Sequence, residues 1–450
     1  MSGLSDAPGP LEARFAPALD RIRDAARAGE IATGWLRAES SDFVRFNRGR
    51  IRQAGSVEKA NVVVRLLRDG RQSSLTLTLA GEARTDAARL DAAFARLREV
   101  LAQSDPDPWL AISEEPACSR TVVAGRPPEP DALCDTVIAA AGGADLVGLY
   151  AGGPLGCGYA SSLGHRHWHE SQPWFLDFSI CGEADKAVKR SVAPGAWVPA
   201  DLAEVIAQAR REAAILARPP KVLAPGEYRA WLTPAALGAL IGMLNWGGFS
   251  AAALRSGHSP LARLADGSAR FDPAVSLADD LAGVGLPRFQ SDGFPRPARL
   301  ALVSAGLHAG MLVSPRTARE YGLPDTGAGP DESADALTMA PGSLPPAQAL
   351  QRLGTGVAVS DLWYLNWSDR AAARLTGMTR FATLWVENGE PVAPLAVMRF
   401  DDSLYRLLGE ALEALSTTCE RLPDTQTYDA RSFGLSTVPG ALLGRLRFTL

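Results

Sequence analysis

The sequence predicts an α+β protein, in which an N-terminal α/β layer with a mostly antiparallel sheet precedes a β-rich, barrel-like C-terminal part with helices. Three observations support this class. Near the N-terminus, apolar residues at helical spacing flank segments that alternate with the period of a strand. Residues 104–130 then contain six prolines and little periodicity. The rest of the chain is rich in short strand segments and Gly/Pro turns.

The length of the chain indicates more than one domain. Its 450 residues exceed the roughly 250–300 residues that a single hydrophobic core usually serves. The proline-rich stretch is typical of a linker or a long surface crossing. We therefore predict an N-terminal α/β domain over residues 1–110, a central α/β segment over 111–220 and a C-terminal β-rich domain over 221–450.

The elements of the N-terminal part have local signals. Residues 11–29 carry apolar positions at helical spacing and end at Gly29, which predicts an amphipathic helix. Asp69 and Gly70 are typical of a tight hairpin turn between two alternating segments. These patterns predict strands over residues 31–38, 43–46, 57–67 and 74–79, and a second helix over 85–103.

The central and C-terminal elements are predicted in the same way. Thr233 followed by Pro234 is typical of a helix start. Asn388 and Gly389 predict a second hairpin. The predicted helices cover residues 131–141, 199–217, 233–244 and 399–416, and the predicted strands cover 147–150, 165–180, 381–386 and 392–398.

Charge and motif content exclude several classes of function. The formal net charge is -4 and the basic residues are scattered, so we expect no nucleic-acid partner. The uncharged run between Arg229 and Arg255 is rich in Ala and Gly, which favours a buried helix over a membrane span. No serine-hydrolase or phosphate-loop motif is present. Residues 1–10 lack a signal-peptide pattern and the five cysteines form no C-x-x-C pair, so we predict a cytoplasmic location.

One local group of residues has the chemistry of a metal site. On a strand, His165, His167 and His169 would lie on one face, where imidazoles two residues apart can share a cation. Glu170 follows them and is a candidate general base. The alternative interpretation is a polar strand face or edge with Trp168 packed inward, because a zinc site also needs further ligands and hydrogen-bond acceptors behind them.

Several segments, in order over most of the chain, resemble the TldD/TldE family, also called PmbA. The most specific of them is the hairpin over residues 385–395, which is similar to the family's hairpin before its last helix. The segment over residues 290–295 is similar to the family's Asp–(Glu)–Gly–x–Pro turn. The other segments that carry the resemblance are residues 43–54, 227–229, 233–244, 259–261, 275–280, 300–312 and 377–380.

The resemblance implies a subunit without its own zinc centre. In TldD-type subunits the middle helix carries an H-E-x-x-x-H motif, and a cysteine near the C-terminus is a further ligand. Here the corresponding window, residues 242–247, has no imidazole, carboxylate or thiolate, and the setting of Cys419 differs from that of the family's glycine-flanked cysteine. We therefore assign no catalytic, cofactor-binding or metal-binding residue from the resemblance.

Three hypotheses of function remain. The first is a non-catalytic TldE-like subunit that pairs with a zinc-bearing TldD-type subunit, so that zinc is expected in the partner, and that helps to degrade unfolded peptides or trim peptide precursors. The second is a homodimeric metal-dependent hydrolase that uses His165, His167 and His169 with Glu170 as base. The third is a binding or modulator protein of the same fold without enzymatic activity.

Overall fold

The computed structural model describes residues 7–182, 186–193 and 195–449. It confirms the α+β class, with two sheets and helices packed against them. The prediction that residues 1–10 carry no signal peptide falls mostly on residues 1–6, which lie outside the described residues.

The first sheet and its helices are built from residues 10–216. Its strands are β1 (Ile31–Asn47), β2 (Arg50–Arg68), β3 (Arg71–Thr78), β4 (Cys118–Val123), β5 (Leu146–Gly152), β6 (Leu155–Ser161), β7 (Arg166–Ser171), β8 (Trp174–Cys181) and β9 (Ala187–Val192). Its helices are α1 (Pro10–Arg23), α2 (Ala83–Leu101), α3 (Pro130–Ala141) and α4 (Pro199–Leu216).

The long strand β1 holds the first sheet together. Along one edge it pairs with β6 over residues 33–39 and with β5 over residues 42–46, while β2 pairs with its other edge over its whole length. β7 and β4 continue the sheet beyond β6, and β8 and β9 continue it beyond β5. The predicted boundary near residue 110 therefore separates two segments that share one sheet.

One face of this sheet is covered by helices. Five residues of β1 with the same parity, Ala32, Leu36, Ala38, Val44 and Phe46, are buried on that face. The first three lie in the core under α1 and α2, and the last two lie in the core under α3 and α4. The opposite face is left for the C-terminal half of the chain, as described below.

The second sheet contains the C-terminal strands. They are β10 (Gly226–Leu232), β11 (Leu277–Asp279), β12 (Leu300–Ser304), β13 (Leu307–His308), β14 (Leu337–Met339), β15 (Gly356–Val359), β16 (Trp363–Asp369), β17 (Arg374–Met378), β18 (Thr383–Glu387), β19 (Glu390–Pro394), β20 (Arg399–Ser403), β21 (Leu412–Pro423) and β22 (Leu435–Phe448). The helices are α5 (Pro234–Gly242), α6 (Ala251–Arg255), α7 (Ala262–Ala265), α8 (Leu281–Val284), α9 (Pro315–Tyr321), α10 (Ala349–Leu353) and α11 (Leu404–Leu407).

β22 is the central strand of the second sheet. It pairs with β10, β14, β20 and β21, and α5 packs against it in the largest hydrophobic core. The pairing order of the described strands remains open at both ends. The C-terminal part is therefore a β-rich open sheet, and the barrel-like form that we predicted is wrong.

Both predicted hairpins are confirmed. Asp69 and Gly70 have φ angles of 52° and 71° between β2 and β3, and Asn388 and Gly389 have 54° and 84° between β18 and β19. Positive φ at both central residues is the geometry of a type I′ turn, whose twist matches that of the strands it joins. The Asp-Gly and Asn-Gly dipeptides therefore predicted both turns correctly.

The predicted helix over residues 399–416 is wrong. This segment contains β20, the single turn α11 and the start of β21. Its leucines recur at helical spacing, but β20 pairs with β17 and β21 pairs with β22. Sheet pairing overrides the local helical pattern here, as tertiary context often does.

Among the described residues, no helix is both long enough and apolar enough to cross a bilayer.

Candidate functional site

A cleft of about 1680 Å³ separates the two sheets. Residues from both halves of the chain line it: β9 and α4 form one wall, and α5 and part of β21 form another. Trp35 and Trp174 of the first sheet and Trp231 of the second also contact this space. A cleft of this kind between two layers, with apolar walls and a few polar groups, is the usual form of a ligand site.

Two features hold helix α5 in place beside the cleft: the hydrogen bonds of Thr233 at its N-terminus and a close contact with β21. The Thr233 hydroxyl accepts a hydrogen bond from the Ala236 amide at 3.3 Å and donates one to the Ser360 carbonyl at 2.5 Å. Gly238 lies so close to β21 that a Cβ there would be 2.3 Å from Leu422 Cδ1. The cleft wall made by α5 therefore consists of backbone and small residues.

The window of residues 242–247, where the resemblance places the zinc motif, begins at the last residue of α5 and continues in a 3₁₀ turn, Met243–Asn245. The side chain of Asn245 is used in the fold: its Nδ2 donates to the Ala334 carbonyl at 3.0 Å and its Oδ1 accepts from the Ala334 amide at 3.1 Å. Trp246 is 58% exposed at the cleft. Zinc needs nitrogen, sulfur or carboxylate ligands, so the residues of this window do not fit a zinc ion.

The wall formed by β9 and α4 carries paired charges. Arg190 Nη2 contacts Glu212 at 2.6 Å, and Lys189 Nζ lies 3.8 Å from Asp361 Oδ2. Burial raises the pKa of Asp361, while the neighbouring Lys189 opposes that shift. These pairs are largely neutralised within the protein.

β21 presents two charges without such partners. The side chains of Glu420 and Arg421 are exposed in the cleft, and neither forms a hydrogen bond or ion pair with a described residue. The surrounding protein displaces water from both. It raises the pKa of Glu420, against the influence of Arg190, and lowers the pKa of Arg421. The sequence did not identify these residues, although adjacent opposite charges in a strand were a visible signal.

The histidine strand lies elsewhere, on the face of the first sheet that meets the C-terminal half. His165, His167 and His169 share that face and are at most 4% exposed. His167 stacks on Phe289 with ring centroids 5.0 Å apart, and His169 meets the edge of Phe433 at 5.3 Å. These rings therefore form part of a buried contact between the two halves of the chain.

The hydrogen bonds of the three imidazoles differ. His165 contacts Ser161 Oγ through Nδ1 at 2.7 Å and Ser113 Oγ through Nε2 at 3.1 Å. His167 contacts Ser119 Oγ through Nδ1 at 2.7 Å. The Nε2 atoms of His167 and His169 are buried without a described partner. Burial lowers the pKa of both His167 and His169 to about 4.

Glu170 lies on the opposite face of β7 and does not join the histidines. Its carboxylate accepts hydrogen bonds from the amides of Leu11 and Glu12 at 3.4 and 2.9 Å and from Trp168 Nε1 at 3.3 Å. Glu170 thus accepts hydrogen bonds from amides in the first turn of α1, which have no partner within the helix. A carboxylate in this position stabilises the start of a helix. The structure therefore does not place Glu170 as a base for the histidine cluster, because neighbouring strand residues point to opposite faces.

Cys419 does not lie in a group of described residues that could bind a metal ion. Its thiol donates to the Met339 carbonyl at 3.5 Å, and burial raises its pKa. Among the described residues, no group of three or more His, Cys, Asp or Glu side chains is placed to hold a metal ion.

Two C-terminal loops cover the histidine face. The first contains Asp292 and Gly293: Asp292 forms an ion pair with Arg65 of β2, and its carbonyl accepts from the Ser113 amide at 3.0 Å. Gly293 has φ of 84°, and a Cβ there would lie 2.4 Å from the ring of Tyr159. Only glycine meets both conditions without strain.

Gly293→Ala is therefore expected to destabilise the protein by roughly 2–4 kcal/mol, since it combines an unfavourable backbone conformation with a steric clash. Urea denaturation at pH 7 measures this loss. Gly257→Ala is the matched control: φ is 75° there, but no atom lies within 4 Å of the added Cβ. Equal losses in both variants would show that the contact with Tyr159 contributes nothing.

The second loop contains Arg431. The sequence did not predict that this residue contacts the first sheet. Its guanidinium donates to Ser41 Oγ, the Pro173 carbonyl and the Gly153 carbonyl at 2.8, 2.8 and 2.7 Å. Its backbone amide donates to Glu39 at 3.1 Å. Arg431 therefore ties the loop before β22 to the first sheet beside the cleft.

Comparisons with known proteins agree with this architecture. Residues 225–449 match the family described as the PmbA/TldA metallopeptidase C-terminal domain. No curated protein matches the chain.

The solved structures that are similar in fold include the following three. One is TldE from Thermococcus kodakarensis, at 15% identity and a TM-score of 0.77, over 98% of this chain and 100% of that one. The second is a protein from Thermotoga maritima MSB8 described as a candidate modulator of a DNA gyrase, at 18% identity and a TM-score of 0.76, over 97% and 100%. The third is a protein from Bacteroides thetaiotaomicron VPI-5482 with a similar description, at 14% and 0.70, over 97% and 98%. The match over half of the chain confirms the resemblance seen in the sequence, and the chain belongs to the TldD/TldE (PmbA) family of metallopeptidase-like proteins.

Proposed function

We propose that this chain is a non-catalytic, TldE-like subunit that completes the substrate cleft of a heterodimeric zinc protease. The partner is a TldD-type subunit that supplies the zinc centre, and the substrates are unfolded peptides or peptide precursors. The observation that carries the proposal is the wall of the cleft at α5. There the residues at the expected zinc motif are small, apolar or, like Asn245, engaged in the fold.

The cleft supports a role in holding an extended peptide. β9 is an edge strand of the first sheet, and over residues 419–423 β21 pairs with β22 as its one strand partner among the described residues. Both strands contribute residues to the cleft. An edge strand binds an extended chain through main-chain hydrogen bonds, which tolerate many sequences and therefore suit unfolded substrates.

Two other functions remain as alternatives. The Nε2 atoms of His167 and His169, which have no partner among the described residues, favour a metal-dependent hydrolase that acts as a homodimer. Their burial under Phe289 and Phe433 opposes it, because a catalytic metal must keep a position open to substrate. A binding or modulator protein is the other alternative, since two of the similar structures are described as candidate gyrase modulators.

The proposal predicts that the chain alone neither retains zinc nor cleaves casein. Mixed with a TldD-type subunit from the same organism, it should form a stoichiometric complex that contains zinc and cleaves casein, more than tenfold faster than either subunit alone. Metal analysis, size-exclusion chromatography and a peptidase assay measure these three properties.

The controls separate the three functions. In the mixture, His167→Ala should leave the zinc content unchanged. Zinc bound by the chain alone and lost in His167→Ala would instead support the homodimeric hydrolase. A chain that forms no complex with any TldD-type subunit and leaves its activity unchanged would support the binding protein.

A further inference from the structure

The cleft wall formed by α5 ends in an indole that the fold does not use. Trp246 follows α5 and is 58% exposed, whereas Trp174 and Trp231, which also line the cleft, are buried. No described residue stacks on the Trp246 ring or forms a hydrogen bond with its Nε1. An exposed aromatic ring in a cleft is a common anchor for ligands, because it buries a large apolar area when a ligand covers it.

The main chain that carries this indole is held on both sides. The Trp246 amide donates to the Met243 carbonyl at 3.1 Å, and the Trp246 carbonyl accepts from Arg370 Nη2. The preceding residue, Asn245, is tied to Ala334 by the two hydrogen bonds described above. A ring on a fixed backbone loses less conformational freedom when a ligand binds, so the indole of Trp246 is pre-organised for a contact.

Open space lies beside this indole. Gly242, one turn before Trp246, is the last residue of α5 and lines the cleft. No described atom lies within 4 Å of a Cβ built at Gly242, so the indole does not cover this position. The preceding cleft residue on the same helix, Ala239, is also small and uncharged. A bulky apolar side chain of a ligand can therefore lie against the end of α5 and contact the Trp246 ring.

The charges in this part of the cleft favour an uncharged ligand group. The Arg370 guanidinium lies at the Trp246 carbonyl, where it opposes a second positive charge. Asp335 is neutralised by its ion pair with Arg296. Asp331 also lines the cleft, but it is exposed, so that water and salt screen its charge. The surroundings of the indole therefore favour an aromatic side chain over a lysine or arginine side chain.

We infer that Trp246 forms a subsite for one aromatic side chain of a peptide in the cleft, and that the space beside Gly242 receives the ring. This inference rests on the proposed function only in that the cleft binds peptides. It adds a substrate class, because folded proteins bury most of their aromatic side chains and unfolded chains expose them. Trp246 and Gly242 are then specificity-determining residues of the cleft.

The test uses the full-length chain and three fluorescent peptides of about eight residues, the length of an ordinary strand. The peptides are rich in serine and threonine, have blocked termini so that terminal charges do not contribute, and carry phenylalanine, lysine or alanine at the centre. Fluorescence anisotropy should show that the phenylalanine peptide binds about tenfold more tightly than the alanine peptide, because its ring buries apolar area and stacks on Trp246. The lysine peptide should bind no more tightly than the alanine peptide.

Two variants locate the subsite. Trp246→Ala removes the ring and should reduce the advantage of the phenylalanine peptide to less than about twofold, while the affinity for the alanine peptide stays unchanged. Gly242→Leu fills the space beside the ring and should have the same effect; φ at Gly242 is -58°, an ordinary helical value, so leucine fits the backbone. The matched control is Trp109→Ala, which removes a tryptophan that is 38% exposed outside the cleft and should keep the original preference.

Several results would overturn the inference. Equal affinities for the three peptides, or tightest binding of the lysine peptide, would remove the aromatic preference and leave the peptide-binding cleft in place. A preference for phenylalanine that survives both cleft variants would show that another part of the chain binds the ring. Absence of binding by every peptide would overturn both the subsite and the peptide-holding part of the proposed function. The complex with a TldD-type subunit is measured separately, so the two proposals fail by different observations.

Discussion

Acidification from pH 7 to pH 5 is expected to lower the free energy of unfolding by about 2 kcal/mol for each of His167 and His169, and by about 3 kcal/mol for each at pH 4. In the folded chain, burial lowers both pKa values to about 4, whereas an unfolded histidine has a pKa near 6.5. Below pH 6.5 the unfolded state therefore binds more protons than the folded state. Stability is complete above that pH and falls as the pH approaches 4.

The surroundings of the two rings explain why they remain uncharged. The described groups packed against His167 are Phe289, Tyr159, His165 and the Ser119 hydroxyl, and the ring against His169 is that of Phe433. None of these offers a negative charge to an imidazolium, and His165 opposes a charge on His167. A charge on either ring in the folded chain therefore loses hydration without gaining an opposite charge, which is why folding lowers both pKa values.

Urea denaturation at pH 7, 6 and 5, followed by tryptophan fluorescence, measures this effect. The double variant His167→Phe, His169→Phe keeps ring packing against Phe289 and Phe433 and should lose most of the pH dependence in this range. His258→Phe replaces an exposed histidine and should behave like the original chain. An unchanged pH dependence in the double variant would show that these two rings are not the groups that titrate.

Arg431→Ala is expected to destabilise the protein by about 3–5 kcal/mol. The Arg431 side chain is buried, with its charge 3.9 Å from Glu39. Desolvation lowers its pKa to about 10, so the group stays charged at pH 7. Its removal would leave the Glu39 carboxylate, the Ser41 hydroxyl and the Gly153 carbonyl with fewer partners in a buried site, which costs more than a hydrogen bond contributes.

The same loop offers a matched control for Arg431. Lys59 forms an ion pair with Asp429 at 2.5 Å, but the Asp429 side chain is 79% exposed. Exposed ion pairs contribute little, so Lys59→Ala should cost much less stability than Arg431→Ala. Both variants are compared by urea denaturation at pH 7. Similar losses in the two would mean that burial does not strengthen the contacts of Arg431.

The parts of the fold that the sequence predicts are those set by neighbours along the chain. The turns at Asp69 and Asn388 need two residues in the left-handed region, and the dipeptides supply them. Thr233 caps α5 within one turn of its own position. Strand period correctly placed His165, His167 and His169 on one face, and the same period applied to Glu170 shows why that residue lies on the other.

The parts that the sequence did not predict depend on distant pairing. The segment over residues 399–416 has helical spacing, and its strands are selected by β17 and β22, which lie elsewhere in the chain. The histidine face is buried because Phe289 and Phe433 reach it from the C-terminal half. Nothing near residue 165 indicates this cover, so the sequence did not predict that the histidine face is buried, whereas the inward packing of Trp168 was predicted correctly.

The central position of β22 has a consequence for synthesis on the ribosome. β22 is synthesised last, after all four of the strands that pair with it, β10, β14, β20 and β21. The first sheet has all of its strands much earlier and can fold while translation continues. During the remaining time the edges of β10 and β21 are unpaired and prone to join other chains. The C-terminal half is therefore the part of a nascent chain that we expect chaperones to protect.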